Sequence, residues 1–182
     1  MKNALIILLV AGSFFSANAQ KYFTKSGNII FNASSPLEKI EGKSNTASAV
    51  LDASTGNMEI AVLIKSFVME KALMQEHFNE NYMESNKFPK AKFAGKIDNL
   101  KEVNLSKDGN YKAKVSGNMT LHGVTKPIST VADIKVSGGK ITSTSAFDIV
   151  LEDYKIDIPG VVKDKISKAA KVNVNVALDK MN

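Results

Sequence analysis

The sequence predicts an all-β fold: an antiparallel β-barrel of about eight strands with one short capping helix. Three observations carry that prediction. Apolar residues alternate with polar ones along most of the chain, turn signals rich in Gly, Asn and Ser separate the alternating runs, and only one stretch has helical spacing.

Taken in chain order, residues 29–33 and 43–51 are the first two predicted strands. In 57–66, Met58, Ile60, Val62 and Ile64 share a face. Residues 70–84 break the pattern, because they are good helix formers and Leu73, Met74, His77, Phe78 and Tyr82 recur at three- and four-residue spacings on one stripe. This segment is the predicted cap. Its stripe has two readings, plain core packing and a ligand lid, and packing is the more general one. Pro89 stops the helix and biases Phe88 toward an extended conformation, leading into a strand at 91–97 that contains Phe93.

The clearest strand follows. It sets Tyr111, Ala113, Val115, Gly117, Met119 and Leu121 on one face and Lys112, Lys114, Ser116, Asn118, Thr120 and His122 on the other. Strands at 128–136 and 141–151 come next, and in the second of these Phe147, Ile149 and Leu151 share a side. An irregular stretch at 157–165 precedes the last strand, where Val172, Val174, Val176 and Leu178 alternate with Asn173, Asn175, Ala177 and Asp179. Ser54-Thr55-Gly56-Asn57, Lys107-Asp108-Gly109-Asn110 and Ser137-Gly138-Gly139 suit the positive backbone angles of tight hairpins. About eight antiparallel strands is the number at which a closed barrel either fills itself or holds one small ligand. Closure also removes exposed edges.

The start of the chain reads as an export signal. Lys2 supplies a charge, residues 5–10 form an apolar run, and Ala17-Asn18-Ala19 offers a cleavage site, so 1–19 is a predicted signal peptide and 20–182 one domain. The run is short for a bilayer of roughly 30 Å, and no later segment approaches the ~20 apolar residues of a spanning helix. Localisation in the periplasm is the expectation. With no Cys, disulfides, thiol catalysis and Cys-rich metal sites are excluded.

The net charge is +6, and every basic side chain is Lys. Arg is the usual residue for bidentate reading of phosphates and base edges, and the Lys residues form no run interleaved with aromatics, so no nucleic-acid partner is expected. Weak, transient contact with an anionic membrane surface fits this charge. Catalytic constellations are sparse. Two His, at 77 and 122, cannot make a His-rich metal site within one chain. Glu76, His77 and Glu80 lack the second His of a zinc-binding helix, and the bland reading gives His77 a hydrogen bond at a helix–barrel seam. A Ser-His-Asp set drawn from Ser129 or Ser145, His122, and Asp133 or Asp148 has no supporting motif. Neither catalysis nor a metal or cofactor is expected.

Two runs carry a family resemblance. The stretch from Ala72 to Ser85, continued by Lys87-Phe88-Pro89-Lys90-Ala91-Lys92-Phe93-Ala94-Gly95, resembles the signature of YceI-like proteins. A second run, Val115-Ser116-Gly117-Asn118-Met119-Thr120-Leu121-His122-Gly123-Val124-Thr125-Lys126-Pro127, resembles that family's strand–turn–strand motif. The resemblance implies a lipocalin-like barrel whose elongated apolar pocket holds a polyisoprenoid, such as an isoprenoid quinone or a prenyl phosphate, in the periplasm. It departs from the common pattern where an Arg-Asp pair near the start of the helical segment is replaced by Phe67-Val68-Met69-Glu70. That puts an anionic headgroup in question and makes a neutral quinone or fatty amide at least as good a fit.

The expected function is carriage of an isoprenoid or other long-chain lipid by a monomer or homodimer. The expected pocket lining is Ile60, Val62, Ile64, Phe93, Met119, Leu121, Phe147, Ile149 and Val174, with Leu73, Met74 and Phe78 closing one end. Small Ala113 and Gly117 on the inward face, and an interior with Met and Phe but no Trp, favour a hollow barrel. Two alternatives stay open: a solid-core barrel acting through its surface, and a hydrolase on the same scaffold.

Overall fold

The computed structural model describes residues 20–181, so the predicted signal peptide at 1–19 lies outside the described residues. The chain runs through β1 (Lys21–Ser34), β2 (Glu41–Asp52), β3 (Asn57–Leu63), β4 (Val68–Met69), α1 (Ala72–His77), β5 (Lys90–Ile97), β6 (Gly109–Leu121), β7 (Val124–Ser137), β8 (Lys140–Val150) and β9 (Ile166–Lys180). Hydrogen-bonded neighbours follow the order β1-β9-β8-β7-β6-β5-β3-β2, and β2 pairs back onto β1, closing an antiparallel barrel of eight strands. β4 is a two-residue addition on the start of β2, with Gly42 opposite Met69 and Lys43 opposite Val68.

Tight turns hold the register. Ser137 faces Lys140 across Gly138 and Gly139, whose φ values of 57° and 79° are those of a two-residue hairpin of the primed type. Leu121 faces Val124 across His122 (φ 49°) and Gly123 (φ 75°), a hairpin of the same form, at the place where the sequence resembles a strand–turn–strand motif. The expected hairpin at Lys107–Asn110 is not there. Gly109 has no positive φ and instead begins β6, because the β5–β6 connection is a long loop with a 3-10 turn at Leu100–Glu102. That loop puts Val103 and Leu105 under the barrel, where both are buried.

The interior has two halves. At the end plugged by Val103 and Leu105, Tyr22, Leu51, Ile97, Ala113, Ile134, Ile141 and Leu178 form a packed cluster in which Ala113 and Ile141 are 0% exposed. Toward the other end, under α1, a second cluster contains Ile29, Ile64, Phe67, Met83, Met119, Leu121, Ile149 and Val172. The cap is shorter than predicted. α1 ends at His77, and Phe78–Tyr82 continues it as one π turn, in which Met83 N–H donates to the Phe78 carbonyl at 2.9 Å.

β1 is longer than the predicted strand because register shifts between Thr24 and Ile29 change which parity faces inward. Tyr22 and Thr24 are buried before the shift, and Ile29 and Ala33 after it. Gly27 sits at the break, where a Cβ would lie 2.9 Å from Val176 Cγ1 and 3.0 Å from the Ala47 carbonyl oxygen.

Candidate functional site: an apolar cavity under the helical cap

The second half of the interior is hollow, with a cavity of about 470 Å³. That size lies within the roughly 300–1,000 Å³ of small-molecule pockets. All twelve residues expected to line a pocket do line it: Ile60, Val62 and Ile64 from β3 and the turn after it, Phe93 from β5, Met119 and Leu121 from β6, Phe147 and Ile149 from β8, Val174 from β9, and Leu73, Met74 and Phe78 from the cap. Leu73 is 62% exposed and so belongs to the mouth.

The reason for the hollow differs from the one expected. Ala113 lies in the packed half. The space over Gly117 is taken by the backbone of β5 and by Phe93: a Cβ at 117 would lie 2.4 Å from the Ala94 carbonyl oxygen, 2.5 Å from Gly95 Cα and 2.8 Å from the Phe93 ring, and one at Gly95, its register partner, 2.4 Å from the same ring. These glycines therefore seat an aromatic ring against the wall. Room comes instead from Ala132, Ser143, Ser145 and Ala170 on β7, β8 and β9, all of which line the cavity with short side chains.

Sequence reasoning also missed the contribution of β1 and of the segment before the helix. Phe31, Phe67 and Phe78 form an aromatic group over the cavity: Phe31 stacks on Phe78 at 4.9 Å between centroids, and Phe67 meets their edges at 5.3 and 6.0 Å. Phe67, 5% exposed, starts the Phe67-Val68-Met69-Glu70 segment. The wall here is therefore apolar, not ionic. At the mouth, Glu38 accepts a 3.0 Å hydrogen bond from Lys71, which ties the β1–β2 loop to the start of α1. That hydrogen bond and the Lys71 charge hold the Glu38 carboxyl below its ordinary value.

His122 fastens the other end of the cap. Its side chain is 9% exposed, with Nε2 2.9 Å from Glu84 Oε2 and Nδ1 3.0 Å from the Tyr154 carbonyl oxygen. A carbonyl only accepts, and so does an ionised carboxylate, so the geometry is satisfied when both ring nitrogens donate. The hydrogen bond from His122 lowers the pKa of Glu84, and Lys87 adds to the effect. Phe88 packs edge-on against the His122 ring at 4.7 Å, and a Cβ at Gly123 would come within 2.5 Å of the Phe88 ring. The "H-G" of the second motif is thus a latch between cap, β6–β7 hairpin and the β8–β9 connection.

With His122 so engaged, the Ser-His-Asp sets on paper are not assembled. Asp133 pairs with Lys112 and Ser145 lines the cavity. The expected hydrogen bond of His77 is also absent: His77 is exposed, lines the mouth, and makes no side-chain hydrogen bond among the described residues. No group of three or more His, Asp or Glu side chains placed to hold a metal occurs among the described residues.

An eight-stranded closed barrel with a helical cap over one apolar cavity defines a lipocalin-like binding barrel. The chain matches the model of the YceI-like domain over residues 21–178, and it belongs to that family. Among solved structures it is similar to a polyisoprenoid-binding domain from Saccharophagus degradans implicated in plant cell wall breakdown, at 16% identity and a TM-score of 0.76, covering 90% of this chain and 99% of that one. It is also similar to BcnA of Burkholderia cenocepacia (12% identity, TM-score 0.69, 84% and 95% covered). A third is the YceI protein of Campylobacter jejuni (20% identity, TM-score 0.56, 78% and 84% covered). No curated protein matches.

Proposed function

We propose that this protein binds one long apolar lipid of the polyisoprenoid or fatty-amide class in the barrel cavity and carries it through the periplasm without chemical change. The observation that carries the reading is the cavity itself, about 470 Å³ of space walled by aliphatic and aromatic side chains in a barrel whose other half is fully packed. Transfer of apolar surface from water into such a wall stabilises a complex by roughly 25 cal/mol per Å², more than enough for a chain with few polar atoms even after ordering is subtracted. The similarity to a polyisoprenoid-binding domain supports the ligand class, and the signal-like pattern at 1–19 supports export.

Delivery needs a membrane, and the mouth fits one. The four most exposed large apolar residues, Leu37 (69%), Val68 (69%), Leu73 (62%) and Val161 (92%), all lie on segments that also contribute cavity-lining residues: the β1–β2 loop, the cap region and the β8–β9 connection. These tips enter the headgroup layer while the cavity faces the bilayer. Incubating delipidated protein with vesicles containing an isoprenoid quinone, then separating the two by flotation, tests the reading. Quinone absorbance should appear with the protein in near one-to-one amount, and protein recovered without quinone would refute carriage.

A further inference from the structure

Polar side chains enter the cavity wall at two levels, His77 and Tyr82 at the cap and a serine pair at the opposite end, and the serine pair lies deep in the apolar barrel. On the inward parity of β8, Ser143 and Ser145 follow Ile141 and precede Phe147 and Ile149, and both serines line the cavity. Ser145 stands opposite Ala132 on β7 and Val174 on β9; Ser143 stands opposite Ile134 and Val176. Ile134 and Val176 belong to the packed half, so the hydroxyls sit where the hollow meets its floor. Thr130, two residues from Ala132 on β7, adds a third hydroxyl to the lining, and it already donates to the Ala146 carbonyl at 3.3 Å. Neither serine hydroxyl has a hydrogen-bond partner among the described residues, while other serines of the barrel interior do, as Ser44 does with Ser66 at 2.7 Å. Both serines are half-buried, so each hydroxyl opens onto the cavity space and not into packed hydrocarbon, and Ala or Val would serve a purely hydrocarbon-filling wall better.

Charge is kept away from this floor. The charged residues among the lining are Glu38, already bound to Lys71, and Lys92 and Lys165, both exposed. A diphosphate placed at the floor would meet no cation. A neutral carbonyl would meet two free O–H donors.

Resting on the lipid-binding reading above, we propose that the ligand enters head first and that Ser143 and Ser145 donate hydrogen bonds to the carbonyl of a neutral head group at the cavity floor, leaving the chain to run toward the mouth. A quinone and a primary fatty amide share that carbonyl chemistry. The site would reject a prenyl diphosphate by leaving its charge unpaired.

The test compares the parent with the double variant Ser143→Ala/Ser145→Ala. Three probes of similar chain length are titrated by calorimetry into delipidated protein: decylubiquinone, decanamide and a plain alkane. If the inference holds, the variant loses roughly 5- to 50-fold in affinity for at least one carbonyl probe, the range expected for one or two uncharged hydrogen bonds, and keeps its alkane affinity. The carbonyl probe that is affected identifies the source. Its infrared carbonyl band, lowered in the parent relative to alkane solution, returns toward the alkane value in the variant. The delipidated variant should melt no lower than the parent, since it removes hydroxyls that had no protein partner. Equal affinities of parent and variant for both carbonyl probes would overturn the floor site while leaving lipid binding intact. Failure of the parent to bind any of the three probes would overturn the lipid-binding reading and this inference with it.

Discussion

Replacing Met119 by Trp separates a ligand cavity from a packed core, and the structure supplies its own control. Met119 lines the cavity opposite Phe93, whereas Ala113, six residues earlier on the same strand and on the same inward parity, is 0% exposed in the packed half. Adding side-chain atoms at Ala113, as in Ala113→Leu, meets occupied space on every side and should cost about 1–3 kcal/mol by overpacking. For a chain of this length that is a fall of roughly 2–12 °C in Tm. At Met119 the indole can lean into a hollow of about 470 Å³, so the delipidated Met119→Trp protein should lose less than about 1 kcal/mol, the scale of a tolerated hydrophobic swap. Its lipid stoichiometry should fall sharply, because indole and ligand compete for the same volume. Stability must be compared after delipidation, since a bound ligand raises the apparent melting temperature. Differential scanning calorimetry of the three delipidated proteins, with lipid counted by organic extraction beforehand, gives both readouts. A Met119→Trp protein that melts as far below the parent as Ala113→Leu would mean that the interior at 119 is filled, and the reasoning from the cavity would be refuted.

Further outcomes follow from the latch, the turns and the leader. Because the folded-state pKa of Glu84 is depressed from 4.5, its ionised form contributes stability that is present above the unfolded value and is lost as pH falls from about 4.5 through the lower folded value. Hydrogen-exchange protection at residues 72–88, taken relative to the intrinsic rate at each pH, should fall through that window in the parent and be low and flat in Glu84→Gln; parent protection that stays constant there would contradict the latch. Gly123→Ala should destabilise more than Gly139→Ala: both force a side chain to positive φ, at about 1–2 kcal/mol, but only at 123 does the new Cβ strike the Phe88 ring. Equal melting temperatures would show that Phe88 is not fixed there. Intact mass of protein recovered from the periplasmic fraction of an exporting host should begin at Gln20, and recovery with Met1 retained would contradict export.

How far the sequence disclosed this molecule depended on where one physical signal dominated. β6 and the later half of β9 were legible because a barrel wall with one wet and one dry face imposes strict alternation, and nothing interrupts it between Tyr111 and Leu121 or between Val172 and Leu178. The first half of β1 was not, since the extra residues between Thr24 and Ile29 shift the inward parity mid-strand, and inward positions such as Thr24 and Gly27 are not recognisably apolar. β2 was located at 43–51 although its buried residues, Gly42, Ser44, Ala47, Ala49 and Leu51, are mostly small and only Leu51 is large and apolar. The cap's stripe located α1 but not its π turn, which depends on the cap's fit to the barrel and leaves little trace in residue spacing. For the cavity, strand parity named nine residues and the helical stripe three more that line it, yet neither could say what keeps the barrel hollow. Ala113 and Gly117 looked like the source, and only the three-dimensional placement of Phe93 and of Ser143, Ser145, Ala132 and Ala170 showed otherwise. The latch could have been sought in the sequence from His122-Gly123 as a two-residue turn, but its partner Glu84 lies 38 residues away and no local pattern joins them.

Native mass spectrometry of the protein purified without detergent from a host that exports it bears most directly on the claim that the cavity holds a lipid. The account expects a mass above that of the chain by one ligand, released by organic solvent as a neutral isoprenoid or long-chain amide, and absent from Met119→Trp. A parent that sprays only as the bare chain, and that forms no complex after exposure to membranes rich in isoprenoid lipids, would contradict it.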